Sequence, residues 1–248
     1  MFNASNLINE VLGAGSGANM QKGKDYLSKN AGGLAGGAVA GGLAGYMLGS
    51  KKGRKMAKKT VQYGGLALVA GLAFKAYKNW QGGRPPGQTT PGQTSAPATS
   101  HMQSSPPPIS EIPSVPRDSA FAVEPETENS NCFGAALVSA MIAAAKADGQ
   151  IDGAEQDAIF AKIDDLSLSN DEKAFLMDQL RRPLDIDSLV ALAQNKEQAV
   201  ELYVASLMAI EVDNPAEQGY LGMLAARLSL EPELVEHIHG SMAEAALV

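Results

Sequence analysis

The chain has a single cysteine, Cys132, which excludes an intramolecular disulfide and any paired-thiol metal site. Histidine is nearly as scarce, with three in 248 residues. Ser167, Ser169 and Cys132 have no His and acid partners near them in sequence, so nucleophilic catalysis has no visible machinery. Aromatic residues make up only 5% of the chain, which leaves Ala and Leu to pack the interior. No long stretch alternates apolar and polar residues with period two, which argues against a sheet. The opening MFNASNLINEVLGAGSG has neither a basic start nor a leucine-rich centre, so no cleavable signal is expected.

What is present is segregated. Of thirteen prolines, ten lie between Gly82 and Ser130, in runs such as GGRPPGQTTPGQTSAPATS and MQSSPPPISEIPSVP. Residues 82–130 therefore read as a disordered linker that cannot bury a core, with a root-mean-square reach of roughly 40 Å. Charge follows the same division. Residues 1–84 carry twelve Lys/Arg against two acids, whereas residues 131–248 carry seven against twenty. A basic end beside apolar segments suits an anionic lipid surface, and an acidic end repels nucleic acid and attracts cations. The sequence thus divides into a membrane-anchoring module over 1–81, the linker, and an acidic helical domain over 131–248.

The N-terminal module has two apolar segments, 31–49 and 61–77, on either side of the basic run KKGRKMAKK. In the first, Gly33, Gly37, Gly41, Gly45 and Gly49 recur every four residues. On a helix they form a bare ridge, the small-xxx-small pattern that lets two backbones approach closely in a membrane. The expectation is a transmembrane helix or hairpin that packs through this ladder, against residues 61–77 or against a second copy. The second segment runs about fourteen residues before Lys75, short of the ~20 that span a bilayer unless Lys75 and Lys78 snorkel. Lys51, Lys52, Arg54, Lys55, Lys58 and Lys59 are placed to contact lipid phosphate, and as a basic loop they belong in the cytoplasm. A hairpin, or a crossing by the second segment alone, then puts the acidic domain outside the cytoplasm. A crossing by the first segment alone puts it inside.

From residue 131 onward the pattern is helix after helix, about seven in all. The first runs over 132–147, and Asp152 with Glu155 opens a second that ends near Leu166. Ser169 with Glu172 forms a capping box for a third. Asp187 caps a short fourth, and Asn195 with Gln198 opens a fifth running to Val212. Pro215 and Pro232 stand at the first positions of the sixth and seventh. Tyr203, Met208, Tyr220 and Met223 fall at helical spacings suited to a core or a groove. His237 and His239, two apart on one helix, read as surface residues. The glycines at 13, 15 and 17 follow no strand and read as a turn, not a phosphate loop.

An internal repeat sits in the acidic domain. Ala154-Glu155-Gln156 and Leu166-Ser167-Leu168 recur, at one offset, as Ala216-Glu217-Gln218 and Leu228-Ser229-Leu230. Asp148 aligns with Asp213 after a short gap. Such a repeat can gather Asp148, Asp152, Glu155, Asp213 and Glu217 into one divalent-cation site for Ca²⁺, Mg²⁺, Mn²⁺ or Zn²⁺. A standard EF-hand does not fit, because its first and third ligand positions would be Ala144 and Lys146. The alternative is that these acids cap helices and complement their dipoles.

KADGQIDGAE, followed some sixty residues later by EVDNPAEQGYLGMLAARLSL, resembles the TerB-like (tellurite-resistance) helical domain. With the glycine-rich segment, basic loop and proline-rich stretch ahead of it, the chain is similar to the YebE-like bacterial inner-membrane proteins. The resemblance implies a compact bundle of about seven helices with an acidic, metal-binding face, onto which the same five acids carry over. Lys146 departs from an all-acidic cluster. The expected function is non-enzymatic: a membrane-anchored helical domain that binds or senses a divalent cation or a protein partner through its acidic face. The alternative is a purely structural adaptor.

Overall fold

The computed structural model describes residues 2–11, 64–83, 113, 115–122, 128–147, 163, 168–210, 212 and 215–247. Among them the chain is all-helical, with eight helices in chain order: α1 (Ala4–Val11), α2 (Gly65–Gln81), α3 (Glu128–Ala145), α4 (Asn170–Arg181), α5 (Ile186–Val190), α6 (Lys196–Met208), α7 (Pro215–Arg227) and α8 (Pro232–Leu247).

Helix α6 is the centre of the bundle. Ten of its thirteen residues are buried, as expected for a helix that is apolar on nearly every side. It packs against α3 on one flank and α2 on another, while α8 covers α2 and α1 lies along α3. Leu202, Tyr203, Leu137, Met141, Leu68, Leu72, Leu7 and Leu234 are almost fully buried in one continuous core. Each large apolar side chain so buried stabilises the fold by about 1.5–3 kcal/mol.

The structure departs from the sequence reading at α2, the segment taken for a membrane span. Leu68, Val69, Leu72, Ala73 and Ala76 enter the same core as the helices after residue 128. Lys75, expected to snorkel, forms a half-buried ion pair with Glu244 of α8 at 2.6 Å. The described helices on the two sides of the proline-rich stretch therefore share one body. No helix among the described residues is long and apolar enough to cross a membrane.

The end of the proline-rich stretch also departs from the reading of a uniform linker. Residues 115–122 are ordered, with the Ser119 amide bonded to the Pro116 carbonyl and Ala122 to Ser119 at 3.0 and 2.9 Å. Helix α3 then starts at Glu128, ahead of the expected 132.

Several of the helix starts read from local residues hold where the backbone is described. The Ser169 hydroxyl accepts from the Glu172 amide while the Glu172 carboxylate accepts from the Ser169 amide, a complete capping box. Asn195 accepts from the Gln198 amide at 2.8 Å. The short helix α5 is capped by Asp185, not Asp187, because Asp185 has the extended backbone that a cap requires. Asp187 lies inside α5 and pairs with Arg227 of α7. Helix α6 ends at Met208, before the expected Val212. Helix α7 closes in a Schellman turn: Leu230 donates to Ala225 and Ser229 to Ala226 at 3.0 and 3.1 Å, with Ser229 in the left-handed region at φ 54°.

Candidate functional site

Of the residues singled out in the sequence, Glu217 alone among the five acids lies in the described part of the chain. It is the third residue of α7 and half-buried. Asp148, Asp152, Glu155 and Asp213 lie outside the described residues, as do the glycine ladder from Gly33 to Gly49 and the six basic residues from Lys51 to Lys59. Among the described residues no group of three or more His, Cys, Asp or Glu side chains is arranged to hold a metal ion. Lys146, the departure from the acidic cluster, reaches instead to the end of α4. Its ammonium donates to the carbonyls of Leu180 at 3.0 Å, Gln179 at 3.3 Å and Arg182. A cation there satisfies the last carbonyls of that helix, and burial lowers its pKa.

Among the described residues, polar side chains gather at the junction of α1 with α2, α3 and α4. Asn3 caps the start of α1, its side-chain oxygen accepting from the Asn6 amide at 2.9 Å. The Ala4 amide donates to Asn131 Oδ1 of α3 at 3.1 Å, and the Asn3 amide to Glu172 Oε1 of α4 at 2.9 Å. Glu172 is almost completely buried. Burial alone would raise its pKa, yet the Ser169 amide and hydroxyl, the Asn3 amide and the Asn6 side chain together hold it below the usual carboxylate range. Alongside this clamp, Gly134 of α3 lets α1 lie close: a Cβ there would overlap that of Ala4. Phe2 meets Phe175 edge-on at 5.4 Å.

The same junction starts α2. Gly64 has φ 80° and no side chain to cap the helix, and the first helical amide, Gly65, donates to Asn9 Oδ1 of α1 at 2.6 Å. Val11 and Gly64, the two points between which residues 12–63 run, are thus held on neighbouring helices.

Three further groups carry buried polarity. Glu201 sits on the central helix with one-twentieth of its surface exposed; burial, and to a lesser degree the charge of Glu197 one turn earlier, push its pKa up to about 8. Tyr203 and His239 share a hydrogen bond of 2.9 Å between the phenol oxygen and Nε2. Burial pushes the phenol up to about 12 and lowers the imidazole. His237 is buried and His239 half-buried, so neither is the surface residue expected from sequence. Ser206 donates to the Ala140 carbonyl of α3 at 3.3 Å. Tyr203, Met208 and Tyr220 are core residues, whereas Met223 is half exposed on the outer face of α7.

A separate groove runs along the outer end of α2. Phe121 is buried with its ring 6.0 Å from Phe74 and 5.4 Å from Tyr77. Tyr77 in turn lies 5.5 Å from Trp80, and the Lys196 ammonium sits over the Trp80 ring at 4.3 Å. A cavity of about 260 Å³ remains beside Phe121, bounded also by Lys78, Gln81 and Glu197.

Compared with known proteins, residues 33–242 match the family described as protein of unknown function (DUF533). The chain belongs to this family. DUF533 is a TerB-like family, and the matched range spans both α2 and most of α8. The chain is also similar to an uncharacterized protein in the ampR 5' region of Yersinia enterocolitica. It is 31% identical over 108 residues, 44% of this chain and 78% of that protein. No solved structure matches the chain.

Proposed function

We propose that this DUF533 protein is a non-enzymatic adaptor at the bacterial inner membrane, with its helical body held against the lipid by the excursion of residues 12–63. The observation that carries this reading is the 2.6 Å bond from Gly65 to Asn9. With α2 inside the body, the excursion leaves from α1 and returns to its side. A chain that departs and returns on one side of a bilayer crosses it an even number of times, and each crossing needs about 20 apolar residues. Residues 31–49 are the one apolar stretch of that size between the two ends. They therefore dip into the membrane without traversing it alone, packing through Gly33, Gly37, Gly41, Gly45 and Gly49 against themselves or a second copy. Lys51, Lys52, Arg54, Lys55, Lys58 and Lys59 meet anionic lipid phosphate on the body's own side. The preference for basic loops in the cytoplasm then puts the body on the cytoplasmic face. The resemblance to YebE-like inner-membrane proteins supports the inner membrane as the location.

The acids serve as helix caps in this reading. Glu172 stands at the third position of α4 and completes a capping box. Glu217 stands at the third position of α7, the equivalent place.

Flotation of the full chain with vesicles tests the reading. It should bind phosphatidylcholine vesicles containing phosphatidylglycerol and leave them when Lys51, Lys52, Arg54 and Lys55 are changed to Glu. Failure of the unmodified chain to float overturns the lipid contact, and a periplasmic signal from a topology reporter after Val248 overturns the orientation. Calorimetric titration with Ca²⁺, Mg²⁺, Mn²⁺ and Zn²⁺ separates caps from ligands. A heat removed by Asp148→Ala or Asp213→Ala would restore a cation-binding function.

A further inference from the structure

The body is built from two pieces of chain. Helices α1 and α2 form one, and helices α3 to α8, with residues 115–122 ahead of them, form the other. The connection passes through residues 84–112, whose seven prolines mark a composition that cannot bury a core of its own. Helices α1 and α2 pack on each other less than on the second piece: α2 lies mainly against α8 and α6, and α1 against α3. Leu7, Ile8, Leu68 and Leu72 are at most 1% exposed, in one cluster with Met141 and Leu202 of the second piece. Aromatic contacts add to it, with Phe121 of the second piece set against Phe74 and Tyr77. Polar links stand at the start of α1 and along the second half of α2. The Asn3 amide donates to Glu172 and the Ala4 amide to Asn131, Lys75 pairs with Glu244, and the Lys196 ammonium covers Trp80. An apolar centre, aromatic anchors and polar groups with fixed partners make up the anatomy of an interface between two proteins, here within one chain.

We infer that the surface of α3, α4, α6 and α8 covered by α1 and α2 is a binding interface in its own right, that its partner is the α1 and α2 pair, and that it holds the two pieces together without the proline-rich connection. The contacts define the partner's chemistry: an apolar helix pair that offers two backbone amides at its start and an ammonium and an indole near its end. The connection adds local concentration, of the order of millimolar, and no part of the grip. The helical body is then held at the lipid by this interface and not only by the chain between the pieces. That last consequence rests on the reading of residues 12–63 as the lipid attachment; the interface itself does not.

The test replaces residues 92–98 of the full chain with the recognition sequence of a site-specific protease and cuts the folded protein in detergent. Loaded at about 10 μM on a sizing column, the two pieces should elute together. The melting temperature of the cut chain should rise with concentration while that of the uncut chain stays constant, because only the cut chain unfolds into two molecules. Separate elution of the pieces overturns the proposal. Lys75→Glu sets a second carboxylate against Glu244 and should raise the concentration at which the cut pieces separate at least about tenfold; adding Glu244→Lys should restore it. An unchanged value for Lys75→Glu means that the pieces cohere by another route, and it also overturns the proposal. Flotation with vesicles containing phosphatidylglycerol carries the test to the membrane. The piece with α3 to α8 should float after the cut, and its release from vesicles that still carry the other piece overturns the proposal. If the uncut chain does not float either, the lipid reading fails and the sizing column still decides the interface.

Discussion

Helices α2 and α6 lie side by side at the centre of the protein, and both are apolar around most of their circumference. They differ in how they begin. Helix α6 carries its own start: Asn195 caps the Gln198 amide, and the Gln198 side chain accepts from the Gln194 amide at 2.8 Å. Helix α2 starts on a glycine and takes its cap from Asn9, 56 positions earlier. A helix that is apolar all round suits a protein interior and a lipid interior alike. Local start signals marked α6 as part of a helical domain. For α2 the corresponding information lies in residues far away in sequence, and composition alone made it look like a span. Its length pointed the other way, since an apolar run of about 14 residues is more often a buried core helix.

The sharpest way to break the equivalence of the two helices is to cut a core side chain from each. Leu72→Ala in α2 and Leu202→Ala in α6 should each cost about 3–4 kcal/mol in urea denaturation. An unchanged midpoint for Leu72→Ala would remove α2 from the core. Next, Glu172→Ala should cost about 2–3 kcal/mol and should also speed amide exchange at Gly65, because the cap of α2 rides on α1 and Glu172 clamps α1. With its pKa depressed in the fold, Glu172 stabilises the protein above the ordinary carboxylate range, and this contribution is lost as pH falls through the folded value.

Helix α6 has the opposite sensitivity. Glu201 keeps its proton in the folded chain up to about 8, whereas the unfolded chain loses it near the usual 4.5. Stability therefore declines as pH rises between those two values. Glu201→Gln should remove that slope and leave the variant the more stable of the two near pH 9, read from thermal melts at both ends of the range. The smallest effects compare the two caps directly. Asn9→Ala and Asn195→Ala should each cost about 1 kcal/mol, and a much smaller loss for Asn9→Ala would mean that α2 does not depend on α1.

Features encoded within a few residues were legible in the sequence. The all-helical class, the capping box at Ser169, the cap at Asn195 and the proline starts of α7 and α8 all follow from short-range chemistry. The choice between Asp185 and Asp187 was not legible, since both types cap well and the extended backbone of Asp185 decides. His237 and His239 lie on different faces of α8, which places His237 inside; no local signal gives the rotation of the helix. Lys146 looked like a flaw in an acidic site, and it caps a helix more than thirty residues away. The candidate site itself was only partly legible: Glu217 has a described place, while the Glu172 clamp on α1 was hidden because its partners, Asn3 and Asn6, lie far upstream.

The pairing of Lys75 with Glu244 spans 169 residues, and it has a consequence for the order of events on the ribosome. The helix that α8 covers is made well before its cover. At about 5–20 residues per second, reaching the end of α8 after α2 takes roughly 10–30 s. Throughout that interval the face of α2 that α8 covers lacks its partner. Ribosome-stalled chains ending before residue 128 should therefore be cleaved readily within 65–81 by chymotrypsin, and the released full chain should resist. Equal resistance in both would show that α2 finds shelter before α8 exists.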